Sequence, residues 1–487
     1  MVFEIDFPTS RTTGRRHVRG RRSASDRFDL SPAPQAPVRF TSAQVGQDPA
    51  RARATRVRLT WSARFISSIG DGLVFVAFPL LATSLTHNPL LIAAVAFATR
   101  LPWLIVGIPA GALVDRVSRR RLLTVVEIAR MSVLLLLAAA IVAHHLVLAE
   151  LYVAAFIITS LGTMFDAATM AVLPQLVAEA DLVHANSRLQ VAQVSGEQFI
   201  GPALGGVLFA VAVALPVAAD GVSFAASAAL LMIALRPPAR IGRHARPRNP
   251  DAFVLEEPAV QARGPSFIVQ LIEGLRWLAN EPRLRLLCGL IASFAFCQGL
   301  SLGILVIYCT RVLHLTKTAF GLFIATVALG DIVGAWVAPR VTAKLGTGRT
   351  LIFAGVLGGA ALLVIGTTSI TGIAVLAAGV EALAAGGGMV ANVTLRQRLI
   401  PLALVGRVSS AMRSATISAA ALATLVGGGL VVLMGSHAPF AIGGAIQLVT
   451  AVLIGGALAR RLAADERNVI DVTETLDLRE PAVVETV

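Results

Sequence analysis

Charge is scarce in this 487-residue sequence: Asp, Glu, Lys and Arg together make up 14% of it, and lysine supplies only 2 of the 42 basic residues. A chain so poor in charge, 56% hydrophobic and with a mean hydropathy of +0.76, cannot hide its apolar surface in a water-soluble fold, so the lipid bilayer is its solvent. Cysteine is nearly absent too. Cys288, Cys297 and Cys309 fall in one expected helix at spacings that fit neither a disulfide framework nor a metal site, and they read as packing residues. The sequence also lacks a His-Glu-x-x-His helix, a nucleophile elbow and a Gly-Lys-Ser phosphate loop, which argues against a membrane protease, an acyl hydrolase or an ATP-driven pump. No catalytic residue, metal or organic cofactor is expected.

What the sequence does have is long apolar runs. A membrane helix needs about 20 mostly apolar residues, and twelve such runs occur: 65–85, 90–113, 121–143, 147–171, 190–213, 215–235, 284–309, 317–340, 350–368, 371–394, 409–433 and 437–458. The fold class expected is therefore all-α and membrane-spanning, with two six-helix bundles, 61–235 and 284–460, joined by a polar linker, 236–283. Residues 1–60 lack apolar periodicity and are expected to be a disordered basic tail, with a second tail at 461–487. Within the linker, Phe267 to Trp277 is amphipathic and suited to the membrane surface.

Arginines mark one side. Arg116, Arg119, Arg120, Arg121, Arg188, Lys344, Arg349, Arg396, Arg398 and Arg407 all fall in loops or helix ends on the same face of the membrane, whereas the opposite loops are short and nearly uncharged. The positive-inside rule places that face, and both termini, in the cytoplasm. The net charge of +14 is explained by this topology and by attraction to anionic lipid, with no nucleic-acid partner required.

The halves repeat each other at an offset near 222: Gln175, Leu182, Val183 and Ser187 recur as Gln397, Leu404, Val405 and Ser409, and Gly205-Gly206 recurs as Gly427-Gly428. Between the second and third runs stands Gly111-Ala112-Leu113-Val114-Asp115-Arg116-Val117-Ser118-Arg119-Arg120-Arg121. This segment resembles the signature loop of the major facilitator superfamily, Gly-x-Leu-x-Asp-Arg-x-Gly-Arg-Arg, with Ser118 in place of the second Gly. The resemblance runs over roughly 61 to 460 and takes in Gly201-Pro202-Ala203-Leu204-Gly205-Gly206, Glu273 to Leu278, and Gln397 to Arg407, which look like the drug- and siderophore-exporter branch of that superfamily. It implies a secondary transporter of the cytoplasmic membrane of a bacterium, with small molecules, protons and lipid as partners, a proton gradient as energy source and two halves that rock about a central site.

The resemblance further implies that Gly111, Asp115, Arg116, Arg119 and Arg120 form a gating loop, Asp115 capping the start of the eleventh membrane helix near Val408 when the carrier opens outward. It matches Gly201, Pro202, Gly205 and Gly206 only in part to an antiporter motif; close helix packing explains the same residues equally well.

A charged side chain at mid-bilayer costs about 2.5 to 3.5 kcal/mol on insertion scales and persists where it has a partner or lines water. Asp71, Glu127, Arg130, Asp166 and Glu197 all lie roughly 10 to 15 Å from the Arg-rich end of their helices. Four acids around one base cannot all be paired, as suits a proton carrier. Arg100, Asp331 and Glu381 lie nearer the midplane, where two acids suit an amphiphilic cation; a static salt-bridge network accounts for either group as well. The reading that follows is a proton-coupled exporter of small amphiphilic compounds, with uptake or uniport of a nutrient or lysolipid as the alternative and a non-transporting scaffold or sensor as a third. Topology is open to direct test: alkaline phosphatase fused after His87 is expected to be active outside the cytoplasm and inactive when fused after Arg188, and the reverse pattern would invert the orientation.

Overall fold

The computed structural model describes residues 49–106, 117–177, 181–236, 267–401, 404–462 and 464, and every regular element among them is helical. The first half comprises α1 (Pro49–Leu85), α2 (Pro89–Ile105), α3 (Arg119–Val142), α4 (Leu148–Leu176), α5 (Leu182–Val194, continued through Ser195–Ile200 and Gly201–Val211) and α6 (Leu215–Ala234). A non-spanning helix, α7 (Phe267–Asn280), precedes the second half. That half contains α8 (Pro282–Leu302), α9 (Lys317–Leu345), α10 (Thr347–Thr367), α11 (Thr371–Leu399), α12 (Val405–Met434) and α13 (Ala438–Thr450, continued through Ala451–Gly455). Eleven of these helices are long and apolar enough to cross a membrane, and α2, with 17 described residues, supplies the twelfth expected span.

The helix starts follow local chemistry. Asn88 accepts a hydrogen bond from the Leu90 amide at 3.0 Å ahead of Pro89, and Thr316 accepts from the Ala319 amide at 3.2 Å, so α2 and α9 begin on side-chain caps. Gly346 (φ 78°) turns the chain between α9 and α10, and Gly435 (φ 89°) ends α12, both in the left-handed region that glycine adopts without strain.

Several boundaries differ from the sequence reading; α4, α9 and α11, for example, run on to Leu176, Leu345 and Leu399, past the expected 171, 340 and 394. The helix α1 begins at Pro49, within the expected tail 1–60, because the arginines that end the apolar run are tolerated on a helix at the water-facing end of a span. Residues 1–48 and 465–487 lie outside the described residues, as does most of the linker. The run 284–309 is not one helix: α8 stops at Leu302, and Cys309 belongs to a separate turn, Tyr308–Val312. The amphipathic segment forms α7, which also has a contact on protein. Its Gly274 meets the backbone of Arg407, where a Cβ would come within 2.8 Å of the Arg407 carbonyl carbon, and Glu273 pairs with the same arginine at 2.8 Å. Two segments that carried the family resemblance are thereby in contact at the start of α12.

The repeated glycines show the duplication in three dimensions. Gly205 faces α1 of its own half, its absent Cβ 2.9 Å from the Leu73 oxygen, while Gly206 faces α9 of the other half, 2.7 Å from the Lys317 oxygen and 2.9 Å from the Gly321 Cα. In the second half Gly427 lies on Leu300 of its own α8, and Gly428 faces α2 of the first half, 2.7 Å from the Ala93 Cβ. Each pair thus joins one helix to its own bundle and to the other one. Both cross-bundle contacts lie near the short loops at 86–88, 212–214, 313–316 and 435–437, so the halves are sealed together at that end. The Arg311 guanidinium, donating to the His87 carbonyl at 3.3 Å, adds to the seal. Gly206→Leu is expected to separate the halves here: nitroxide labels at Ser84 and Ser436 should report a longer distance than in the unsubstituted chain, and an unchanged distance would show that this contact does not set the closure.

Candidate functional site

Polar residues at helical spacing place the site. On α1, Arg64, Ser67, Ser68 and Asp71 share one face, and on α6 Asp220, Ser223 and Ser227 do the same, so each helix turns a polar stripe inward from an otherwise apolar surface. Between these stripes lies Arg130 of α3, which is 2% exposed. Its guanidinium pairs with the Asp71 carboxylate, donates to the Ser67 hydroxyl at 3.5 Å, approaches Glu127 at 3.8 Å and stands 3.9 Å over the Phe224 ring. Glu127, fully buried, accepts from Ser227 at 2.8 Å. Asp220 is also fully buried and accepts from Ser223 at 3.0 Å, leaving its second oxygen without a hydrogen bond.

A second ion pair stands beside the first: Arg64 and Asp166 at 2.7 Å, with the guanidinium 5.4 Å from the Phe165 ring centroid. Glu197 has a weaker partner, the Gln193 carboxamide at 3.2 Å. It sits on the π-helical turn Ser195–Ile200 of α5, a wider turn of the kind often found at functional positions. Asp71, Arg64, Arg130, Asp166 and Glu197 line a cavity of about 400 Å³ whose far wall comes from the second half, including Phe320 and Arg413. A volume of that order accommodates a small molecule.

The structure therefore brings together all five first-half residues singled out from the sequence but changes their balance. Among the described residues, five acids and two paired arginines form the cluster, where four acids and one arginine were expected. Arg64 was passed over because it stands just before the apolar run, and Asp220 because it is near a helix start; the Asp220, Ser223, Ser227 spacing was the signal that could have revealed it. Arg413 was also missed. It stands 4.6 Å from the Trp103 ring centroid across the two halves.

Arg100 requires a correction. Expected beside Asp331 and Glu381, it instead lines the shared cavity with Asp71, whereas the two acids line a different cavity in the second half. Depth along a helix cannot distinguish sites that differ in which way the helix faces. Gly111, Asp115 and Arg116 of the expected gating loop lie outside the described residues; Arg119 and Arg120 open α3 and are half-buried. Gly201 meets α1 at the Ile69 oxygen, 2.5 Å from where its Cβ would stand, and Pro202 is buried, so the glycine-proline motif packs helices tightly.

The sequence profile of the transmembrane secretion effectors, a group within the major facilitator superfamily, matches residues 48–487. The chain belongs to the transmembrane secretion effector family. A 160-residue stretch of this secretion effector is 32% identical to the multidrug efflux pump Tap of Mycolicibacterium fortuitum, covering 30% of the chain but only 37% of that pump. Its fold is also that of solved transporters. A point mutant of the nucleoside transporter NupG matches with a TM-score of 0.64 at 12% identity, over 83% of this chain and 99% of that one. An inward-facing bacterial homologue of the iron transporter ferroportin matches at 0.59 and 17% identity, over 85% and 99%. The secretion effector is thus a multi-pass membrane protein of the major facilitator fold.

Removing one partner of a buried ion pair strands the other charge, at a cost of about 3 to 5 kcal/mol. Arg130→Met is expected to lower the thermal unfolding midpoint in detergent micelles, and adding Glu127→Gln to recover part of the loss. Unchanged melting of Arg130→Met would show that the cluster contributes nothing to stability.

Proposed function

We propose that this secretion effector exports small, partly apolar compounds from the bacterial cytoplasm in exchange for protons, by alternating access between its two halves. The observation that carries this reading is that, at a cavity shared by both halves, Arg64 and Arg130 are paired with Asp166 and Asp71 while the neighbouring Glu197 and Asp220 hold only neutral hydrogen-bond partners. A carboxylate without an ion pair at this depth is neutralised by a proton or solvated by water. Asp71, Asp166 and Glu197, which face the cavity, are the candidate proton carriers, and Arg130 can move its pairing from Asp71 to Glu127 or Asp220 when Asp71 takes up a proton. Arg130 touches α1, α3 and α6, so that exchange would change how these helices are held together.

The positive-inside rule puts the Arg-rich end in the cytoplasm, and the glycine seal then closes the outer side. With the outer side closed, cargo would reach the cavity from the cytoplasm, as export requires. Export is favoured over uptake by the likeness to a multidrug efflux pump. Asp115, placed by the signature loop, would close the inner side in the alternate state.

Inverted membrane vesicles energised with a proton gradient, and scored for dye accumulation, provide the test. At least one of Asp71→Asn, Asp166→Asn and Glu197→Gln is expected to abolish gradient-driven accumulation while retaining substrate exchange at equilibrium. Intact gradient-driven accumulation in all three would remove the coupling assignment.

A further inference from the structure

A second cavity, of about 470 Å³, lies inside the second half among α8, α9 and α11 and is closed on one side by α5. Its charged lining residues are Asp331 and Glu381, and among the described residues no Lys, Arg or His lines it. Asn392, also in the lining and 6% exposed, carries a carboxamide oxygen without any hydrogen-bond partner. Gln298 offers another carboxamide, and Phe294 and Met389 supply an apolar, polarisable wall.

We infer that this cavity binds the cationic group of an amphiphilic organic cation, with Asp331 and Glu381 as counter-ions and the Asn392 carboxamide as an additional acceptor. This inference rests on the export reading and names the class of compound carried. Two carboxylates in an apolar wall repel an anion and attract a cation strongly, since low dielectric strengthens both effects. An orphaned buried acceptor is costly unless a donor occupies the space beside it, and an ammonium hydrogen is such a donor. The volume fits a small molecule with an apolar body. A calcium or magnesium ion would need six or more closely set oxygen ligands, a different construction.

The position is informative as well. Gln193 and Glu197 line the first cavity, while Val194 and Gln198, one residue further along α5, line the second. The π-helical turn is therefore a shared wall with the proton-carrying candidate on one face and the cation site on the other. Filling the second cavity presses on the turn that positions Glu197, so cargo and proton can influence one another without sharing a side chain.

Equilibrium binding of radiolabelled tetraphenylphosphonium to the full-length protein in detergent micelles tests the site without any gradient. Saturable binding is expected, and Asp331→Asn combined with Glu381→Gln should weaken it at least about tenfold. Tetraphenylborate, of the same shape and opposite charge, should not compete. Asn392→Leu, which removes an unpartnered acceptor, should weaken displacement of the label by dodecylammonium, whose N–H groups donate, in a protein that still folds, and it serves if the double variant does not. No saturable binding in the unsubstituted protein, equal competition by tetraphenylborate, or unchanged affinity in the double variant together with unchanged displacement in Asn392→Leu would overturn the proposal. Because no proton gradient is involved, failure here leaves the coupling assignment standing; loss of gradient-driven accumulation with phosphonium binding intact would bear on coupling alone.

Discussion

An arginine buried at membrane depth must find its counter-charges inside the protein, and that requirement organises the first half of this molecule. Arg130 is 2% exposed, and every group that neutralises or shields it comes from a neighbouring part of the bundle: Asp71 and Ser67 from α1, Phe224 from α6, Glu127 from its own α3. Ser227 and Ser223 each donate to one oxygen of a buried acid beside Arg130, Glu127 and Asp220 respectively. Apolar packing in lipid gives little preference between one helix arrangement and another, so these polar contacts fix which faces meet.

Among the described residues the second half shows no such cluster. Asp331 and Glu381 face a cavity lined by no basic residue, and close glycine contacts hold the surrounding helices, Gly386 lying against the Asp331 backbone and Gly334 against Leu383. The duplication thus preserved helix contacts and not charge. Gly205-Gly206 and Gly427-Gly428 keep the same division of labour in both halves, whereas among the described residues the ion pairs of the first have no counterpart around the second cavity. An inherited scaffold with divergent linings leaves two chemically distinct compartments separated by α5.

The number of spans, the two bundles, the repeat and the Arg-rich end were all legible in the residue order, because hydropathy and charge act on the chain locally and the bilayer reads them one helix at a time. The glycine pairs were visible as a repeat, but not that each member of a pair faces a different bundle. Buried acids were recognisable as costly and hence purposeful, although Asp220 and its neighbour in the cluster, Arg64, sit too near their helix or run ends to stand out by depth alone.

What only the tertiary structure decided was which side chains meet. Arg100 and Asp331 stand at similar depths in the sequence reading, yet one lines the first cavity and the other the second, because a helix's rotation about its axis is set by its neighbours and not by its own hydropathy. The pairing of Arg64 with Asp166, the sharing of Arg130, and the seating of α7 on α12 through Gly274 are likewise contacts between segments far apart in the chain. The sequence by itself determined that charges are buried and roughly how deep they lie. The fold decided which of them neutralise each other and which are left facing a cavity, since that depends on distances a linear chain does not contain.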